Sequence, residues 1–310
     1  MGNSRGVVRI FEGRPTLEGA GVRLRRAFGG PEMGRLFDPF LLLDDFGSRF
    51  PHEYLAGFPW HPHRGIETVT YLIKGEVHHE DSTGTKGIIR GGEVQWMTAG
   101  SGVFHAEMPK PGRKVVDGQE VEDPEMKGLQ LWINLPSGNK MSDPKYRNLL
   151  SSETPVLRLD DGTEVKLIAG EIKKVPGTGN VKGPVSDLSV PVHYLDIVMQ
   201  DSSSFEYALP ESFNSFIYLM NGEVFFDDSK VQAKPGSVVL FDREGDSIKV
   251  TTRDVGAHFL LIAGRPLNQP IAWYGPIVMN TQEELQVAMQ ELRNGNFIKK
   301  KATSYDYFRY

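Results

Sequence analysis

The sequence predicts an all-β protein of two β-barrel domains, with one short α-helix near the C-terminus. Three observations carry this reading. Short runs rich in Val, Ile, Leu and aromatic residues are punctuated by turns drawn from 34 glycines and 20 prolines, the pattern of a sandwich or barrel. The two halves of the chain repeat one another. One stretch alone, close to the C-terminus, combines helical spacing with capping residues.

In chain order the β-prone runs are "GVVRIF", "VRLRRAF", "FLLLDDF", "ETVTYLI", "LQLWINL", "VKLIAGEI", "HYLDIVM", "FIYLM" and "VVLF". The helix is "NTQEELQVAMQELRNGNF". Thr281 caps it, and Glu284, three residues on, completes a capping box. Leu285, Ala288, Met289 and Leu292 share one face, which suits docking on a barrel.

The repeat is clearest between "IETVTYLIKGEVHHED" (66–81) and "FNSFIYLMNGEVFFDD" (213–228). Tyr71-Leu72 matches Tyr218-Leu219, and Gly75-Glu76-Val77 matches Gly222-Glu223-Val224. Downstream, "IIRGGEVQWMTAGSGVFHAEM" and "VQAKPGSVVLFDREGDSIKVT" share an order of strand, Gly turn, apolar strand, polar turn and strand. The expected division is residues 1–136 and 151–310, with the helix in the second domain and the turn-rich 137–150 as linker.

Bulk numbers narrow the function. The 310 residues carry a net charge of −5 with no long basic block, which argues against direct nucleic-acid binding. No run approaches the roughly eighteen apolar residues of a membrane span. "MGNSRGVVRIFEG" lacks the apolar core of a signal peptide, and Gly6 stands where a myristoylation site needs Ser or Thr. A cytoplasmic location is expected, or a nuclear one if the source is eukaryotic. With no cysteine, any metal must sit on nitrogen and oxygen.

Four of the eight histidines fall in "GFPWHPHRGIETVTYLIKGEVHHED". Residues i and i+2 of a strand point the same way, so His61 and His63 share a face across Pro62. His105 and Glu107, in "GVFHAEMP", repeat that spacing. Two such strands inside one barrel would converge three imidazoles and a carboxylate, a set suited to one divalent transition metal: Fe, Mn, Co, Ni, Cu or Zn. Glu67 competes with Glu107 for the carboxylate place. His78 and His79 are adjacent and face opposite sides, so "HHED" reads as a solvated hairpin end without metal. His52, His193 and His258 have no partner at ligand spacing. In the repeat, positions 61, 63 and 67 map to Ala208, Pro210 and Asn214, and 105 and 107 to Lys249 and Thr251. The second copy keeps the scaffold without the ligands.

"GFPWHPHRGIETVTYLIKGEV" and "GGEVQWMTAGSGVFHAEMP" resemble the two cupin motifs as they occur in the pirin family. "GRLFDPFLLLDDF", "GLQLWINLP", "VKLIAGE" and "YGPIVMNTQEE" also resemble pirin segments, so the likeness spans nearly the whole chain. It implies a bicupin of two cupin (jelly-roll) barrels, with metal in the first barrel only. The metal implied is iron, on His61, His63, His105 and Glu107. Trp60 departs from the family pattern, where a smaller or polar residue precedes the HPH, and could narrow the mouth.

The resemblance also implies an activity, that of a quercetin 2,3-dioxygenase. A flavonol 3-hydroxyl, acidified by a bound metal, would lose its proton to Glu107 as general base. Cleavage with O2 would then give a depside and carbon monoxide. Phe58, Trp60, Gln130 and Trp132 are candidate pocket walls, and Glu67 a candidate to orient an imidazole. The alternative is an iron-binding regulator without turnover. Animal members are described as nuclear cofactors of NF-κB-type transcription factors, which would add a protein partner.

Overall fold

A computed structural model describes residues 3–175, 179–226, 230–300 and 303–305. Two compact units emerge, and neither is a continuous piece of chain. One holds the N-terminal residues to Gly13, residues Phe37–Pro39 and residues Ser152–Leu267; the other holds Arg14–Leu36, Phe40–Ser151 and the residues from Asn268 on.

In the unit built mainly from the first half, the larger sheet runs in the order Arg14–Glu18, Val22–Gly29, Phe40–Phe46, Lys127–Asn134, Ile66–Lys74, Val94–Thr98, Lys145–Leu149, Thr303–Tyr305. Its four-stranded partner is Phe58–His63, Val103–Lys110, Glu76–Asp81, Lys86–Arg90. In the second unit the larger sheet is Val156–Arg158, Glu164–Ala169, Val192–Met199, Ala257–Gly264, Asn214–Gly222, Ser237–Phe241, Val7–Glu12. Its smaller sheet is Ser204–Ala208, Ser247–Thr251, Val224–Phe226, Val231–Ala233. Apart from Thr303–Tyr305, which has no counterpart, the two strand orders correspond, so the repeat read in the sequence is a repeat of topology.

The ends of the chain depart from the expected division. The strand Val7–Glu12 pairs antiparallel with Ser237–Phe241, so the first residues complete the second barrel. Part of the expected linker, Lys145–Leu149, is a strand paired with Val94–Thr98, with Tyr146 and Leu149 buried. The C-terminal helix, Gln282–Asn294, belongs with the first barrel. Its polar flanks concealed this, because a strand edge or helix face is assigned to a core only by the partner it meets.

The helix itself forms as its caps dictate. The Thr281 side chain accepts from the Glu284 amide, Glu284 bonds back to the Thr281 amide, and Gly295 closes the end at φ 72°, where glycine has no steric penalty. Leu285 and Ala288 bury into a cluster with Ile277, Met279 and Phe297, and Met289 and Leu292 pack against it. A second short helix, Pro31–Leu36, went unread because six residues are too few to show a period. Among the described residues no helix is long and apolar enough to cross a membrane.

Candidate metal centre

The strands Phe58–His63 and Val103–Lys110 lie antiparallel, with His105 directly opposite His61 and Val103 opposite His63. Alternation therefore turns His61, His63, His105 and Glu107 to the barrel interior. Gly65 lets this strand turn away. At φ 77° a Cβ there would sit 2.0 Å from the Val278 carbonyl oxygen, so only glycine fits.

The three imidazoles meet through Nε2. His61 Nε2 is 3.0 Å from that of His63 and 2.9 Å from that of His105. One Nε2 carries a single proton or a single lone pair, so His61 cannot make both contacts as hydrogen bonds. Ligand nitrogens about 2.1 Å from one ion and at right angles lie about 3.0 Å apart, which is the spacing seen. Burial, and then the neighbouring imidazoles, push His63 and His105 well below the usual histidine value, so both are neutral with lone pairs to offer. The residues fit a divalent metal ion. Among the described residues this is the only such group.

The outward nitrogens of two rings are held by backbone: His61 Nδ1 by the Pro59 carbonyl at 2.8 Å and His63 Nδ1 by the Pro276 carbonyl at 3.3 Å. Glu107 stands beside the group, with Oε2 3.8 Å from His105 Nε2. Thr70 Oγ1 donates to Glu107 Oε1 at 3.0 Å, and Gln130 Nε2 donates to Oε2 at 2.9 Å. The Gln130 amide is fixed in turn, because its oxygen accepts from Trp132 Nε1 at 3.1 Å. Trp132 sets its ring edge-on to His63, centroids 5.0 Å apart.

A cavity of about 790 Å³ opens on these residues, walled by Phe58, Trp60, Trp132, Trp273 and Tyr274, with Arg26 and Asp44 at one side. Phe58, Trp60, Gln130 and Trp132, the candidate pocket walls, all line it. Trp60 is 51% exposed, so it forms rim rather than floor. Arg26 and Asp44 form a two-bond ion pair at 2.9 and 2.8 Å. Burial raises the Asp44 carboxyl.

Several expectations need correction. Glu67 is neither ligand nor orienter of an imidazole. It sits on the strand face opposite Thr70, where its carboxylate accepts from Trp96 Nε1 and Thr98 Oγ1, both at 2.9 Å. "HHED" is only half solvated: His78 is exposed beside Glu76, but His79 and Asp81 are 4% and 3% exposed. In the second barrel Ala208, Pro210 and Lys249 are exposed. The interior positions are their neighbours Tyr207, Leu209, Ile248 and Val250, all in that barrel's apolar core. Both alignments, through the shared Y-L-x-x-G-E-V for Ala208 and Pro210 and through the Gly turns for Lys249, are one residue out of register on these strands, which exchanges the two faces. His193 meets the Tyr207 hydroxyl at 3.0 Å and His258 pairs with Asp196 at 2.6 Å, so both have ordinary partners.

Thr70, Trp273 and Pro276 were missed. Thr70 could have been found by strand alternation, since it stands three residues from Glu67 and so on the opposite face. Trp273 and Pro276 lie more than 200 residues from the HPH, and of the two only Pro276 falls within the quoted "YGPIVMNTQEE".

Two barrels of one topology, with converging histidines in the first and an apolar interior in the second, define a bicupin. Residues 21–133 match the model of the Pirin family and residues 194–298 that of the Pirin C-terminal cupin domain. The chain belongs to the pirin family. It is 41% identical to human pirin over 298 residues, covering 95% of this chain and 94% of that one. It is 40% identical over 293 residues to a pirin-like protein of Caulobacter vibrioides, covering 94% and 99%. Among solved structures, a quercetin 2,3-dioxygenase from Acinetobacter baumannii superposes with a TM-score of 0.81 at 30% identity, covering 95% of this chain and 99% of that one.

Proposed function

We propose that this chain is an iron-dependent dioxygenase that opens flavonols such as quercetin with O2, releasing a depside and carbon monoxide. One observation carries the reading: three imidazoles converge beside a carboxylate, and two of them, His61 and His63, face with Glu107 a cavity large enough for a flavonol and walled by aromatic rings. Imidazole and carboxylate donors without thiolate suit a non-haem iron centre, held by His61, His63 and His105 with Glu107. Bound there, iron supplies Lewis acidity toward a phenolic oxygen and redox chemistry toward O2.

The chain's own residues do the rest. Trp132 and Trp273, with ring centroids 5.9 Å apart, offer flat faces to a planar substrate. Glu107 takes the 3-hydroxyl proton on a carboxylate oxygen. Thr70 and Gln130 hold that carboxylate in place, and the Trp132–Gln130 bond stops the amide from flipping. The aromatic walls displace water from around the ring that reacts. The named Acinetobacter baumannii dioxygenase supports the assignment at the level of the family.

The test is O2 uptake by iron-reconstituted protein with quercetin, with carbon monoxide and depside measured together. All three are expected in equal amounts. Iron-saturated protein that consumes no O2 with any flavonol would overturn the reading in favour of an iron-holding regulator.

A further inference from the structure

Ligating imidazoles nearly always give their second N–H to a carboxylate, a carbonyl or a water. His61 and His63 use carbonyls, but His105 Nδ1 is buried without a hydrogen-bond partner. Among the described residues several other buried polar atoms share that condition, Asp81 Oδ2 and the Tyr146 hydroxyl among them. Asp81 is the direct cross-strand partner of His105, so their side chains stand on the same inward face about 5 Å apart at Cβ. Tyr146 belongs to the same interior, packed with Met97 and Val103. Burial, followed by the Asp81 carboxylate, pushes its phenol well above the usual tyrosine value. None of the three residues lines the substrate cavity.

Asp81 is already fixed by its other oxygen. Oδ1 accepts from the Thr83 amide at 2.6 Å, the Thr83 hydroxyl at 2.5 Å and the Thr85 amide at 3.2 Å. Oδ2 is therefore a carboxylate oxygen held still inside the barrel. A buried water characteristically joins two to four polar atoms that lack other partners.

We propose that Asp81 is a positioning residue for His105: Asp81 Oδ2, the Tyr146 hydroxyl and His105 Nδ1 hold one buried water between them. That water keeps the His105 proton on Nδ1 and its Nε2 lone pair toward His61 and His63. The inference rests on the metal-binding reading above. It adds that one of the three ligands is tuned by a carboxylate while the other two are tuned by backbone.

Asp81→Asn tests it, because Asn keeps an oxygen for the Thr83–Thr85 turn and replaces Oδ2 with an N–H donor. The water then turns a proton toward His105 Nδ1, and the ring moves its own proton to Nε2. Two readouts follow. In metal-free protein, ¹⁵N chemical shifts of the His105 ring should report Nδ1–H in the wild type and Nε2–H in Asp81→Asn. Zinc affinity, measured by competition with a chelating dye, should fall about 10–100-fold. Thr83→Ala, which removes one turn bond and leaves Oδ2 alone, should keep the wild-type tautomer and affinity. If Asp81→Asn does not fold, Tyr146→Phe decides: it should weaken zinc severalfold, and unchanged affinity overturns the proposal. Asp81→Asn with wild-type tautomer and affinity overturns it while leaving the metal centre standing. A wild type with Nδ1–H that binds no zinc overturns the metal reading instead.

Discussion

His63 Nδ1 meets the carbonyl of Pro276, 213 residues further along the chain, at 3.3 Å. The C-terminal segment thus holds one of the candidate ligands in its tautomer. The next residue ties that segment down. The Arg64 guanidinium, 1% exposed, donates to the Phe297 and Ser101 carbonyls at 2.7 and 2.8 Å, pairs with Glu291 at 2.7 Å and lies over the Phe297 ring.

Arg64→Met should therefore loosen the segment. Removing one partner of a buried ion pair costs about 3–5 kcal/mol; the partial exposure of Glu291 puts the expected loss at the low end, about 3 kcal/mol. Metal affinity should fall with stability, since Pro276 loses its anchor. Urea unfolding and zinc titration of the same variant check both.

His61→Ala and His105→Ala should each abolish tight metal binding and leave both barrels folded. Each barrel has its own apolar core, and the second has apolar side chains at the interior positions corresponding to the ligands. Elemental analysis should give one metal per wild-type chain and none per variant, with unchanged far-UV circular dichroism. Two tightly held equivalents in the wild type would contradict the asymmetry of the barrels.

Glu107→Gln separates ligand from base. The amide oxygen can still accept from Gln130, but charge and basicity are lost. Metal affinity should weaken about 10–100-fold. At saturating iron, flavonol turnover should drop by a further 10²–10⁴, roughly the worth of a positioned general base. Glu67→Gln, outside the centre, should leave turnover near wild type. Steady-state O2 uptake at saturating iron distinguishes the two variants.

The second barrel carries a separate pH response. Burial pushes His193 down to about 4, against about 6.5 unfolded. Below 6.5 the unfolded chain takes up a proton that the folded chain refuses. This residue's contribution to stability is thus complete above pH 6.5 and is lost as pH falls toward 4. Urea unfolding of wild type against His193→Phe should show a stability difference that is flat above pH 6.5 and shifts in favour of the variant below it. A difference flat from pH 8 to 4 would contradict this.

Local chemistry determined much of this protein by itself. Alternation in "HPH" and "HAE" is a two-residue property, so the shared face of His61, His63, His105 and Glu107 was legible without a structure. So were the caps of the C-terminal helix, because Thr281 and Glu284 act within one turn. The repeat was legible too, since "YL", "GEV" and the Gly turns recur in order. Tertiary structure decided what depends on distant partners. Glu67 looks like a ligand four residues from His63, yet strand alternation carries it to the far face, to Trp96 and Thr98. Asp81 looks solvated in "HHED", yet pairing with His105 buries it. Val7–Glu12 closes the second barrel and the last helix packs on the first. A strand edge or an apolar stripe states only that it needs a partner, and which surface supplies one is settled when the whole chain has folded.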